Sequence, residues 1–204
     1  MQINIDKKTA VFLAIITLLL AALVSLGINR GDNDGSMGMG HHGSNNQNNS
    51  RSSDYTGADI MFLQMMIPHH QQAIDISNLA LKTSKDSELL ALAKTIRDAQ
   101  TSEITQMKSW LTDAGAGADM GHTMDGMGGM LDETELSALA AATGKNFDIL
   151  WLKGMTGHHD GAIHMTTMIN DARNKEIKTF GNNVVKDQSA QIIQMEAMLK
   201  RLGN

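Results

Sequence analysis

Apolar residues recur at alternating three- and four-residue steps along four long segments of this 204-residue chain, the spacing of helices that bury one face. In the first segment Ile60, Leu63, Ile67, His70, Ile74, Ser77 and Leu81 fall on one stripe. In the second, from about 87 to 111, the inner face reads Leu89, Ala93, Ile96, Gln100, Glu103 or Ile104, Met107 and Leu111. The third carries Ile149, Leu152, Thr156, His159, Ile163 and Thr166, and the fourth Val184, Gln188, Gln191 or Ile192, Met195 and Leu199. A short helix over 134–142 is predicted ahead of the third.

The pattern is a duplication. FLQMMIPHHQQAI at 62–74 returns as WLKGMTGHHDGAI at 151–163, and QTSEITQMKSWL at 100–111 returns as QSAQIIQMEAML at 188–199. Each copy is a helical hairpin that cannot bury its apolar face alone, so the two predict an all-α, antiparallel four-helix bundle. The expected bounds are 55–204 for the bundle, with repeat 1 over about 58–113, a joining loop over 114–131 and repeat 2 over about 145–202.

Besides apolar periodicity, both copies keep imidazole and thioether. His69-His70 matches His158-His159; Met66 precedes His70 by four residues and Met155 precedes His159 by four, so each pair shares a helix face. Met65 stands likewise to His69, although its counterpart is Gly154. His70 and His159 lie on the inward stripes, whereas His69 and His158 lie about 100° round the helix and are expected to face a groove or water. Two readings of the inner pair stand side by side. It ligates a soft or borderline metal, or it forms a polar layer hydrogen-bonded to Glu103, Gln100, Gln188 or Gln191. Pro68 and Gly157 precede the two His pairs. Both loosen a helix, Pro68 at a cost of about 3 kcal/mol, which favours a site over plain packing.

Composition sharpens the chemistry. The chain has no cysteine, 16 methionines and 8 histidines, with 3% aromatic residues, so soft ligation falls to thioether, which suits Cu(I) in an oxidising space. Two glycine-rich segments concentrate these donors: Met37, Met39, His41 and His42 in one, and Met120, His122, Met124, Met127 and Met130 in the other; His164 completes the set of candidate ligands. Lys7-Lys8 precede an apolar run from about Ala10 to Ile28, near the minimum for a membrane span and oriented to place the remainder outside the cytoplasm. Residues 1–30 are read as a signal anchor, with cleavage at Ser25-Leu26-Gly27 as the alternative. Residues 31–54 are read as a flexible tether. A net charge of −5 and a pI near 5.9 leave no basic stripe for nucleic acid.

MMIPHHQQAIDIS, followed by QxxEIxxMxxWL, a Met-Gly-His loop and a second HH copy, closely resembles the bacterial secreted proteins grouped as domain of unknown function 305, over about residues 54–202. The resemblance implies a ferritin-like bundle. Because CopM-type members are exported copper-binding proteins, it also implies copper handling through His69, His70, His158 and His159. Glycine for proline at 157 and Gln191 opposite Glu103 imply that the two copies are not identical sites. A di-iron centre is disfavoured, since no Glu-x-x-His occurs, and no hydrolase, P-loop or dinucleotide motif is present. The expectation is a non-catalytic, extracytoplasmic copper-binding protein for sequestration, delivery or resistance. It would take Cu(I) by preference and Cu(II) as well, and exchange copper with a membrane exporter or oxidase. A scaffold with structural histidines and a copper-dependent oxidase are the rival readings.

Overall fold

A computed structural model describes residues 54–118 and 128–203. Among them every regular element is helical: α1 (Gly57–Thr83), α2 (Ser87–Asp113), α3 (Glu133–Ala141), α4 (Gly144–Met165), a 3₁₀ turn (Thr166–Ile169) and α5 (Lys175–Arg201), all in one unit, Asn45–Asn204. The starts are encoded locally. Thr56 and Asp59 form a capping box at α1, Asp132 and Glu135 form another at α3, and Asp86 and Asn174 accept the first free amides of α2 and α5. α1 runs through Pro68 without a break. Proline removes a backbone donor there, so packing on both sides must hold the helix.

Contacts are most extensive within the α1–α2 and α4–α5 hairpins, and α1 also packs on α4. The core falls into two apolar clusters. One joins Ala73, Ile76 and Ala80 of α1 to Leu89 and Ile96 of α2, Trp151 and Met155 of α4, and Met195 of α5. The other joins Phe62 and Met66 to Met107, Leu111, Met165, Phe180 and Val184. The C-terminal half of α1 thus meets the N-terminal half of α4, and the reverse holds in the second cluster, so the two helices run antiparallel.

The buried faces correct the stripes read from the sequence on α1 and α4. Ile60, Ile67, Ile74 and Leu81 are only half-buried, and the centre of the α1 face is Phe62, Met66, His69, Ala73, Ile76 and Ala80. On α4, Ile149, Thr156 and Ile163 are likewise marginal, whereas Trp151, Met155, His158 and Ala162 are central. The faces are turned by about one residue because α1 must cover two neighbours, α2 and α4. The branched residues are only one flank of that arc. On α2 the expected positions are buried apart from the alternative Glu103, and the short helix expected over 134–142 occupies Glu133–Ala141.

Polar bonds pin the hairpins to each other. The Trp151 indole N–H donates to the Ile76 carbonyl at 3.0 Å, the Ser84 hydroxyl to Asp148 Oδ1 at 2.6 Å, and the Trp110 indole to Glu176 Oε2 at 3.0 Å. No helix among the described residues is long and apolar enough to cross a membrane; the expected anchor, 1–30, and all of the expected tether, 31–54, except Asp54 lie outside them.

Trp151 is fully buried and bonded across α1 and α4. Trp151→Phe should lower stability by about 1 kcal/mol through the lost hydrogen bond, and Trp151→Ala by about 3–5 kcal/mol through the cavity. Denaturant midpoints would measure both. Equal losses would mean that the ring contributes no more than its N–H.

Candidate metal site

Between the two apolar clusters lies a polar layer. His69, His70, His158 and His159 are each 0% exposed, and Gln100 and Gln188 are nearly so at 3% and 4%. His70 and His159 face inward, as the stripes require. His69 and His158 do too, contrary to the expectation of a groove or water: their rings meet at 3.8 Å between centroids, inclined by 42°. Within each pair the rings are 6.5 and 6.3 Å apart. The reason for the difference is the contact between α1 and α4, joined by a piece of backbone. The segment Gly128–Leu131 fills the groove that the helix geometry leaves open, with the Gly128 carbonyl 3.4 Å from His69 Nε2.

Each imidazole uses Nε2. His70 Nε2 meets Glu103 Oε2 at 2.7 Å, His159 Nε2 meets Gln191 Oε1 at 2.6 Å, and His158 Nε2 meets the His69 carbonyl at 3.0 Å. A carboxylate and two backbone carbonyls only accept, and the Gln191 amide presents its oxygen. All four Nε2 atoms are therefore donors, and the tautomer follows from the partners. Every Nδ1 is then left as a lone-pair acceptor, and all four are buried without a hydrogen-bond partner. Buried polar atoms without partners cost on the order of 1–3 kcal/mol each, and four in one layer suit a ligand. A histidine whose second nitrogen donates to a carboxylate or carbonyl is oriented as metal ligands are.

Burial disfavours protonation of three of the four histidines. Burial, then the charges of His70 and His159, push His69 down from 6.5 to about 3, against the opposing Gly128 bond. Burial first, then His69 and the other two histidines, lowers His158 well below the ordinary value. Burial also brings His159 down to about 4, partly offset by Gln191. Neutral imidazole is the ligating form.

Met66 and Met155 are both 0% exposed, one in each apolar cluster beside the layer. Met65 and Met130 are half-buried against the core, and His164 is exposed on α4. Met37, Met39, His41, His42, Met120, His122, Met124 and Met127 lie outside the described residues. Among the described residues, no three His, Asp or Glu side chains are placed to hold one ion, so the candidate donors are the imidazoles, with Met66 and Met155 one helical turn before His70 and His159. Sequence reasoning found the partners Glu103 and Gln191 but missed Gln72 and Gly161. Gln72 exchanges two hydrogen bonds with the backbone of Leu131, at 2.9 and 2.8 Å. The signal for the second was Gly154, Gly157 and Gly161 along one helix, a mark of close backbone approach.

An unfolded chain binds protons on His69 and His159 near pH 6.5, whereas in the folded protein they resist down to about 3 and about 4. The unfolded state thus binds more protons in that window, and stability present above pH 6.5 is lost as pH falls through it. We expect the melting temperature to drop between pH 7 and 5, above the carboxylate range, with each neutral histidine contributing on the order of 1–2 kcal/mol. His158→Gln should flatten the slope. A flat profile in the parent would show that the layer takes up protons without cost.

The sequence model of the family described as Domain of unknown function (DUF305) matches residues 59–199. Among solved structures, a candidate secreted protein of that family from Streptomyces coelicolor is 29% identical with a TM-score of 0.67; the match covers 72% of this chain and 92% of that one. A fragment from Deinococcus radiodurans is 29% identical with a TM-score of 0.67, covering 72% and 97%. CopM in the Cu(I)-bound form is 31% identical with a TM-score of 0.60, covering 72% and 97%, and CopM is also known in Cu(II)-bound, silver-bound and apo forms. No curated protein sequence matches the chain.

Proposed function

Because the chain belongs to the Domain of unknown function (DUF305) family, we propose that it is an exported copper-binding protein that sequesters or hands on Cu(I), and also takes Cu(II), without catalysing a reaction. The observation that carries this is the buried layer of four imidazoles, each with Nε2 engaged and Nδ1 without a hydrogen-bond partner. Support comes from similar structures with Cu(I), Cu(II) and silver. Silver and Cu(I) are both soft ions, and soft ions favour thioether and imidazole in a chain without thiols. The exported relative agrees with the compartment. In this reading the helices form a ferritin-like, antiparallel four-helix bundle over 55–204, residues 1–30 anchor it to the membrane and 31–54 tether it. The ion is cargo: thioethers of the tether and of the inter-repeat loop capture it, the histidine layer holds it, and a membrane exporter or oxidase exchanges it.

A structural role for the inner pair has its own support, because His70 bonds Glu103 and His159 bonds Gln191 as a polar layer fixing helix register would. Copper-linked stability separates the two readings. A ligand that binds only the folded state at 100 times its dissociation constant adds about 2.7 kcal/mol, so anaerobic Cu(I) should raise the melting temperature of the chain from Gly31 onward. His70→Ala with His159→Ala should remove that rise. If Cu(I) titrations of the double variant overlay those of the parent while stability falls, the pair is structural.

The loop is tested separately. Replacing Met120, Met124, Met127 and Met130 by Leu should lower Cu(I) stoichiometry against a competing chelator while helix content stays unchanged. Unchanged stoichiometry would remove this loop from the copper path.

A further inference from the structure

The two repeats share a pattern but not a setting, and the difference lies on the seam between α1 and α4. His158 donates to the carbonyl of His69, yet His69 donates instead to Gly128, from outside both repeats. Gly128–Leu131 is seated against α4 by three glycines. A Cβ on Gly161 would collide with the Gly128 carbonyl group, its carbon at 2.6 Å, and with Gly129 Cα at 2.8 Å. A Cβ on Gly129 would strike the Gly157 carbonyl oxygen and come within 2.8 Å of Gly161 Cα. Gly129 also has φ +86, a conformation other residues rarely adopt. A Cβ on Gly154 would meet only the Leu131 side chain, nearest atom 2.9 Å away. From the α1 side, Gln72 grips the Leu131 backbone with both ends of its amide, one turn beyond His69.

We propose that Gly128–Leu131 is a positioning element for the histidine layer, and that Gly161 and Gln72 are the positioning residues that seat it. Docked on the seam, the segment excludes water from the His69–His158 contact and holds His69 as the Nε2–H tautomer, which leaves its buried Nδ1, like that of His158, as an unprotonated lone pair. The first repeat's ligand is thereby set by the chain that joins the repeats, which gives the inter-repeat loop a physical hold on the site. This rests on the copper reading above for its purpose, but not for its geometry.

The test uses the full chain and two kinds of readout. Long-range ¹⁵N–¹H spectra of the metal-free protein report the His69 tautomer and the solvent exchange of the His69 and His158 ring protons. Competition with a Cu(I) chelator reports affinity. Gly161→Ala should retain helix content, since alanine is the better helix former, while His69 becomes a mixture of tautomers, ring-proton exchange accelerates and Cu(I) affinity falls about 10- to 100-fold. Gly154→Ala should do much less, because the Leu131 side chain can move aside. Gln72→Ala, which leaves α4 untouched, should reproduce the tautomer and exchange changes and guards against a folding defect in the first variant. If Gly161→Ala and Gln72→Ala keep the parent's tautomer and exchange rates, the proposal is overturned. If both change as expected while the parent never competes for Cu(I), the positioning role stands and the copper reading falls.

Discussion

The crossing of α1 and α4 at His69 and His158 is the constraint on which the rest depends. Two imidazole rings 3.8 Å apart hold the helices together, small residues Ala73, Ala80 and Ala162 are buried in the clusters on either side, and Gly154 and Gly161 of α4 make room for Gly128–Leu131. The same crossing divides the apolar core. Polar groups cannot be removed from water cheaply, so each ring nitrogen facing a neighbour needs an acceptor. The helices supply three, one carboxylate, one amide and the His69 carbonyl, and the Gly128 carbonyl outside them is the fourth. Antiparallel packing then follows, because a duplicated hairpin places its second His pair against its first when the two copies are related by a half-turn.

Such a layer is an unusual use of burial. A chain selected only for stability would fill the middle of its core with leucine, since an apolar layer has no unpartnered atoms to carry. Here four Nδ1 atoms, Gln100 Oε1 and Gln188 Oε1 are buried without partners, while the Nε2 sides are all satisfied. An imperfectly packed core would scatter its unsatisfied atoms over donors and acceptors alike. The ring atoms left over are the four Nδ1 nitrogens; Ser77 Oγ and Asp59 Oδ1 are buried without partners as well.

Much of this was legible in the sequence. Duplication announced two hairpins, and the helix periods located the inward His70 and His159 and the residues opposite them, because partner and histidine lie on facing stripes that a 3.6-residue period predicts. On α1, Leu63, His70 and Ser77 of the expected stripe are buried, but the branched residues Ile60, Ile67 and Ile74 lie on its flank, whereas the buried Ala73 and Ala80 add little to a periodicity count. His69 and His158 were misplaced for a different reason. They lie on the contact between α1 and α4, and His69 also meets Gly128, in a segment whose composition resembles a linker; helix periodicity says nothing about what fills a groove from outside the helices.

Duplication also explains why the two halves are not equivalent. The partner of His70 is a carboxylate and that of His159 a neutral amide. A charge-assisted hydrogen bond is roughly twice as strong as a neutral one, and a carboxylate drawing on the Nε2 proton leaves more electron density on the ring. The His70 lone pair is the stronger donor of the inner pair. In the outer pair the asymmetry is geometric: His158 is held by the backbone of the opposing helix, at 3.0 Å, and His69 by a longer bond, at 3.4 Å, to a segment outside both repeats. Repeat 2 therefore carries its outer histidine on the more rigid support and its inner one on the weaker partner, while repeat 1 has the reverse. A duplicated gene starts with two equal sites; the substitutions at 103 and 191, and the loop inserted over one face, have given four imidazoles four different environments within one layer.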